Sequence, residues 1–200
     1  RDAAQAVMRA RCAELGIVMI VDGIYDRLVF TGSVPEFYGH SAGLFILGGM
    51  SKSHCMSGWR IGWTLAPPEL AEAVVKALQY VSTCSNWLSQ QLAMYALSDE
   101  GLAASREVLD QLKACRELAL TRLKPWREKV MAPPAGPYLM LRTPDDDLQV
   151  CQHLAARGVI CVPGRAFGSV SQGWLRINIA VPPAKLEVAL EIVINELYLH

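Results

Sequence analysis

Two short runs, Ile17-Val18-Met19-Ile20-Val21 and Leu44-Phe45-Ile46-Leu47, are apolar without a break. Alternating polarity would mark a strand with one wet face. An unbroken run rich in branched residues instead suits a central strand of a parallel sheet, covered by helices on both sides. Ile61–Leu65 reads as a third strand. In open α/β sheets, ligands bind beyond the carboxyl ends of the strands. Asp22, at the end of the first run, and Ser51-Lys52, just past the second, therefore stand where a site is expected.

Between and after these runs the periodicity is helical. Residues 1–15 put Ala4, Val7, Met8, Cys12 and Leu15 on one face, and Gly16 follows as a stop signal. Pro68 and Glu69 favour a helix start, with Leu70, Val74, Ala77, Leu78 and Val81 continuing its apolar face. Another helix is expected over 88–97 and a long one from about 101 to about 129. The run Ala132-Pro133-Pro134-Ala135-Gly136-Pro137 breaks all periodicity and marks a boundary. Beyond it come a strand over 138–142, a helix over 148–157, strands over 159–162 and 174–179, and a final helix over 183–197. The expected organisation is an α/β portion over 1–100, a connecting helix over 101–132 and a small α+β domain over 133–200.

Composition limits the partners. Lysine plus arginine and aspartate plus glutamate balance at 19 each, so no net field draws nucleic acid or an anionic membrane. The longest apolar stretch, Leu44–Met50, holds two glycines and falls far short of the roughly 20 residues of a membrane helix. Six cysteines without a Cys-x-x-Cys pair and without nearby histidines at metal spacing read as small buried hydrophobes in a reducing cytoplasm, with no metal site. The chain opens on an arginine inside a helical pattern, which suggests a truncated sequence.

The most informative segment is Ser51-Lys52-Ser53-His54-Cys55-Met56-Ser57-Gly58-Trp59-Arg60-Ile61-Gly62-Trp63. A lone lysine here would more often be a solvated surface residue. Placed where a strand runs into a cleft, it becomes a carbonyl-capturing amine. Arg60, bracketed by Gly58 and Gly62, would offer a planar charged fork to a phosphate. Upstream, Val21-Asp22-Gly23-Ile24-Tyr25 follows a strand; a cap or turn role for Asp22 and half-burial for Tyr25 are the plainer readings of each alone. Arg176, inside the apolar strand Trp174-Leu175-Arg176-Ile177-Asn178, needs either an internal salt bridge or an anion, the salt bridge being favoured on strand chemistry alone.

The segment around Lys52 closely resembles the cofactor-lysine signature of the class I and II, fold-type I, aminotransferases: Ser-x-Ser-Lys, then a variable stretch and Gly-x-Arg-x-Gly. Gly49 stands where that family usually has Ser or Thr, so Ser51 or Ser57 would replace one phosphate hydrogen bond. Asp22 to Tyr25 resembles the family's Asp-Glu-x-Tyr element, with Gly23 for the glutamate, and Val162–Gly168 its Pro-Gly-x-x-Phe-Gly turn.

The resemblance implies pyridoxal 5'-phosphate held by Lys52 as a Schiff base, with Asp22 at the ring nitrogen, Tyr25 at the phenolic oxygen and Arg60 and Ser51 at the phosphate. Arg176 would clamp the substrate carboxylate. It implies an aspartate-aminotransferase-like large domain, in part, with a mixed and mostly parallel sheet, followed by the small domain. It further implies amino acid and 2-oxo acid substrates, a cytoplasmic homodimer, and little activity or cofactor retention in these 200 residues alone. A carbon-sulfur β-lyase on the same scaffold and an aminotransferase-like sensor domain of a transcription regulator are the alternatives. His54 is set aside as a surface or packing residue and the other histidines as isolated; the Ser85-Asn86-Trp87 turn is expected to approach the cofactor or a partner subunit without ranking among the main contacts, and Trp59 and Trp63 to pack near the site.

Overall fold

A computed structural model describes residues 2–32 and 43–199; His40 and His200 lie outside the described residues. The chain divides into two compact units, Arg1–Leu109 and Asp110–His200.

In the first unit, α1 (Asp2–Glu14) precedes β1 (Met19–Asp22), β2 (Leu44–Gly49) and β3 (Gly62–Leu65), followed by α2 (Pro68–Ser82), α3 (Trp87–Ala96) and the start of α4 (Asp99–Arg122). Gly16, at φ 63°, closes α1: its N–H donates to Ala13 O at 3.2 Å and that of Ile17 to Cys12 O at 2.8 Å. These are the paired bonds of a Schellman ending. Asn86, in the turn before α3, caps that helix by accepting a bond from the Ser89 N–H at 3.2 Å. The sheet order is β1-β2-β3. The first pair is parallel and the second antiparallel, so the third strand returns along the second instead of extending a parallel array. The strands are also less covered than their apolar runs suggest, with Ile20 65 % exposed, because three strands and their helices do not close over both faces.

The second unit holds the rest of α4, β4 (Val130–Met131), β5 (Tyr138–Arg142), α5 (Asp147–Ala156), β6 (Val162–Pro163), β7 (Trp174–Asn178) and α6 (Pro183–Tyr198). Its sheet runs β4-β5-β7-β6, antiparallel throughout. The expected long helix stops at Arg122 and continues as a 3-10 segment, Lys124–Lys129, because Pro125 removes a helical N–H. Residues 132–137 form the connection between β4 and β5, and only Val162 of the strand expected over 159–162 is paired.

Alternation along β5 and β7 defines two faces. Leu139, Leu141, Leu175 and Ile177 are buried, while Tyr138, Met140, Trp174 and Arg176 share the other, half-open face. Helix α6 adds Leu186, Leu190, Val193, Ile194 and Leu197 to the core, a stripe at helical spacing.

One polar tie fixes this unit's far end. Asp146 caps α5, accepting bonds from the N–H groups of Leu148 at 3.0 Å and Gln149 at 3.1 Å, and pairs with the Arg165 guanidinium. Asp147, 0 % exposed, accepts bonds from the Arg165 backbone N–H at 2.8 Å and its Nε at 2.5 Å. Burial would push the Asp147 carboxyl up, but the Arg165 donors outweigh it and hold the group below the usual carboxylate range. Asp146 is held low chiefly by its bond to the Arg165 side chain.

The cysteines do not behave alike. Cys115 and Cys151 are buried, but Cys55 and Cys84 are exposed, and all six are free thiols. No helix among the described residues is long and apolar enough to cross a membrane.

Two outcomes are expected. Leu139→Ala, at a position 0 % exposed, destabilises the protein by about 3 kcal/mol in chemical denaturation. Asp147→Asn lowers the melting temperature by several degrees at neutral pH. Because the folded-state pKa of Asp147 is depressed, its contribution is present above the unfolded value near about 4 and is lost as pH falls through the folded one. The gap between wild type and variant in a pH series of melting curves therefore closes below about pH 4.

Candidate active site

Strand direction brings the candidate residues of the first unit to one sheet edge. β1 and β2 run parallel with Asp22 opposite Leu47, and β3 returns with Gly62 opposite Gly49. The ends of β1 and β2 and the start of β3 thus share an edge. Asp22 is the last residue of β1, Tyr25 lies in the turn after it, Ser51 and Lys52 follow β2, and Arg60 sits just before β3.

The connection carrying Lys52 is anchored at every third residue. Met50, Ser53 and Met56 are 0 %, 1 % and 8 % exposed. The Met50 carbonyl accepts bonds from the N–H groups of His54 at 3.2 Å and Met56 at 3.3 Å, which curls the chain. Ser105 Oγ, from α4, donates to the Ser53 carbonyl at 2.8 Å. Ser51 and Lys52 are half-buried between these anchors. Sequence reasoning did not single out Met50, Ser53, Met56 or Ser105; the i, i+3, i+6 spacing of the first three was the available signal.

Arg60 is exposed and takes a left-handed backbone, φ 51° and ψ 48°, as does Cys55 at φ 54°. Such conformations are uncommon outside glycine, and two fall within this one connection. The Arg60 Nη1 donates to the Ser57 carbonyl at 2.9 Å. Asp22 is exposed, and its Oδ1 accepts a bond from the Ile24 N–H at 3.1 Å, a strand-end turn. His54 shares a 2.8 Å hydrogen bond between its Nδ1 and Ser53 Oγ. Burial first, and the nearby Arg27 charge second, lower its pKa against the opposing pull of Asp26, which favours the neutral ring.

Glycine is required where the strands meet. A Cβ on Gly48 would lie 2.4 Å from the Trp63 indole, which packs across β2, and a Cβ on Gly62 would lie 2.7 Å from the Gly48 carbonyl. A Cβ on Gly49 would press on Ile24 Cδ1 at 3.1 Å. The Ile24 side chain thus occupies room that a larger residue at this position would need.

In the second unit, Arg176 lies on β7 opposite Met140 of β5 and Val162 of β6. The favoured internal salt bridge is not found: among the described residues no carboxylate pairs with Arg176. Its guanidinium carbon lies instead 4.3 Å from the centroid of the Tyr138 ring and 4.6 Å from that of Phe167. Ring faces compensate the charge without consuming the N–H donors. Phe167 belonged to a motif in the sequence, but neither it nor Tyr138 was recognisable there as a neighbour of Arg176. Among the described residues no cluster of three or more His, Cys, Asp or Glu could hold a metal.

Comparison with known proteins gives a consistent picture. The family described as "Aminotransferase class I and II" matches residues 5–193. The aspartate aminotransferase of Thermotoga maritima is 30 % identical over 177 residues, covering 86 % of this chain and 45 % of that protein. The aromatic-amino-acid aminotransferase 2 of Thermococcus litoralis is 29 % identical over 187 residues, covering 89 % and 48 %. The crystal structure of an aminotransferase from Mycobacterium tuberculosis superposes with a TM-score of 0.88 at 27 % identity, over 98 % of this chain and 52 % of the other. The chain spans about half the length of the curated relatives it matches.

Gly48→Ala is expected to displace the Trp63 indole, shifting its N–H resonance and lowering stability, whereas Gly58→Ala, with nothing within 4 Å of the added carbon, leaves both unchanged. Two-dimensional NMR of the tryptophan indoles with parallel thermal melts checks both.

Proposed function

Since this chain belongs to the class I and II aminotransferases, we propose that it serves the transfer of an amino group between an amino acid and a 2-oxo acid with pyridoxal 5'-phosphate. The observation that carries the reading is the strand register, which lines up Asp22, Lys52 and Arg60 on one sheet edge. An amine, a carboxylate and a guanidinium are the groups suited to an aldehyde, a ring nitrogen and a phosphate, so the residues fit that cofactor.

In this reading Lys52 would hold the cofactor through its amine, and the same amine would take the proton from the substrate Cα. When bound, the cofactor supplies a ring that accepts the electron pair left by that proton. Asp22 sets a negative charge against the ring nitrogen and keeps it protonated. Tyr25 offers its hydroxyl to the phenolic oxygen. Arg60, turned from the Ser57 carbonyl, holds the phosphate together with Ser51. Arg176, on the second unit, receives the substrate carboxylate on its N–H edge.

We assign the working form as a homodimer. The large apolar side chains exposed on and beside α2 and α3, Tyr80 at 85 %, Val81 at 83 % and Trp87 at 72 %, favour a covering partner. Free thiols at all six cysteines fit a cytoplasmic setting.

The test uses a protein of the relatives' full length that carries this chain. Lys52→Ala abolishes amino transfer and the visible absorbance of bound cofactor, and Asp22→Asn lowers kcat on the order of a hundredfold or more; wild-type turnover in Lys52→Ala refutes the assignment. The 200-residue chain by itself retains the cofactor weakly, and tight stoichiometric uptake in an absorbance titration would contradict that.

A further inference from the structure

We infer that Tyr138 and Phe167 are positioning residues that orient the Arg176 guanidinium and keep its hydrogen-bonding edge available for a carboxylate ligand. The inference rests on the proposed role of Arg176 and adds the two groups that make the arginine competent for it.

The geometry is local to the second unit. Tyr138 and Met140 alternate on β5, and Met140 stands opposite Arg176 on the adjacent β7. Tyr138 is thus the diagonal neighbour of Arg176 on the same face, within reach of a long side chain. Phe167 arrives from elsewhere, at the end of the 3-10 segment Gly164–Phe167. Both ring centroids fall well inside the roughly 6 Å range of cation–π attraction.

A salt bridge would neutralise the guanidinium by occupying its N–H donors. Two rings attract it through their faces and leave those donors open. They also restrict a side chain that has several rotatable bonds, so less freedom is lost when a ligand binds. The ligand class follows: a planar, two-oxygen anion that matches the fork, namely the carboxylate of an amino or 2-oxo acid.

The test follows the Arg176 Nε–Hε resonance by NMR, assigned by its loss in Arg176→Lys, while the 200-residue chain is titrated with propionate. In wild type the resonance carries a ring-current shift and moves saturably with propionate. Phe167→Leu and Tyr138→Leu each relax the ring-current shift and weaken propionate binding about three- to tenfold, whereas Phe167→Tyr and Tyr138→Phe, which keep a ring, behave as wild type. Phe167 is 46 % exposed, so its leucine variant is expected to fold, and it carries the test if Tyr138→Leu does not. Leucine variants that bind propionate as wild type does overturn the positioning role and leave the role of Arg176 standing. A wild-type resonance that ignores propionate overturns both. Neither result touches Lys52, whose absorbance test is separate.

Discussion

The change of pairing direction across β2 is the constraint on which the candidate site depends. β2 runs parallel to β1 and antiparallel to β3, so the ends of β1 and β2 and the start of β3 fall at one edge. Were β3 parallel to β2, Arg60 would lie at the opposite edge, about 13 Å away for a strand of four residues. The connection over residues 50–61 contains only one short 3-10 turn, Ser57–Trp59, and no crossover helix to carry a parallel return. In this pairing Gly62 approaches the Gly48 carbonyl too closely for any side chain, and Gly48 lies under the Trp63 indole.

That connection is a curled segment pinned from inside. Met50, Ser53 and Met56 are sunk in the unit while Lys52 sits half-buried between them, so the lysine's height above the sheet edge is set by its neighbours. The Ser105 bond to the Ser53 carbonyl ties the same segment to α4. Left-handed backbone at Cys55 and Arg60 persists because the surrounding bonds over-determine it. Of the three non-glycine residues with positive φ among the described residues, two lie in this connection and the third, Thr83, closes α2.

Much of this was legible in the sequence, for identifiable reasons. Unbroken apolar runs located β1 and β2, and helical spacing and the Pro68 start located α2. The Lys52 and Asp22 elements stand out in the sequence because each couples a chemical group to a strand end, and in the structure Asp22 ends β1 and Lys52 follows β2. Direction was not legible: a four-residue strand such as Gly62–Leu65 has the same composition whichever way it pairs. β4 is two residues long and carries no period to detect. Apolar patterning also promised a covered sheet, and Ile20 shows that pattern records what a face is made of, not what covers it. For Arg176, strand chemistry alone offers either a salt bridge or an anion; aromatic compensation comes from residues 38 and 9 positions away, which no local pattern links to it.

The second unit joins its stability to its candidate site through one turn. Asp147, fully buried on α5, holds both the backbone and the side chain of Arg165. Arg165 lies two residues before Phe167 in the 3-10 segment Gly164–Phe167. Gly164 lets that segment approach so closely that a Cβ there would stand 1.9 Å from the Ser171 carbonyl, and Gly168, at φ 116°, turns the chain away. Phe167 is thereby fixed at both ends before it reaches the guanidinium of Arg176. A carboxylate that looks purely structural thus governs the placement of a ring, and the ring governs an arginine on a different strand. The chain of cause runs through backbone geometry rather than charge, because Asp147 is satisfied by Arg165 and shares no bond with Arg176.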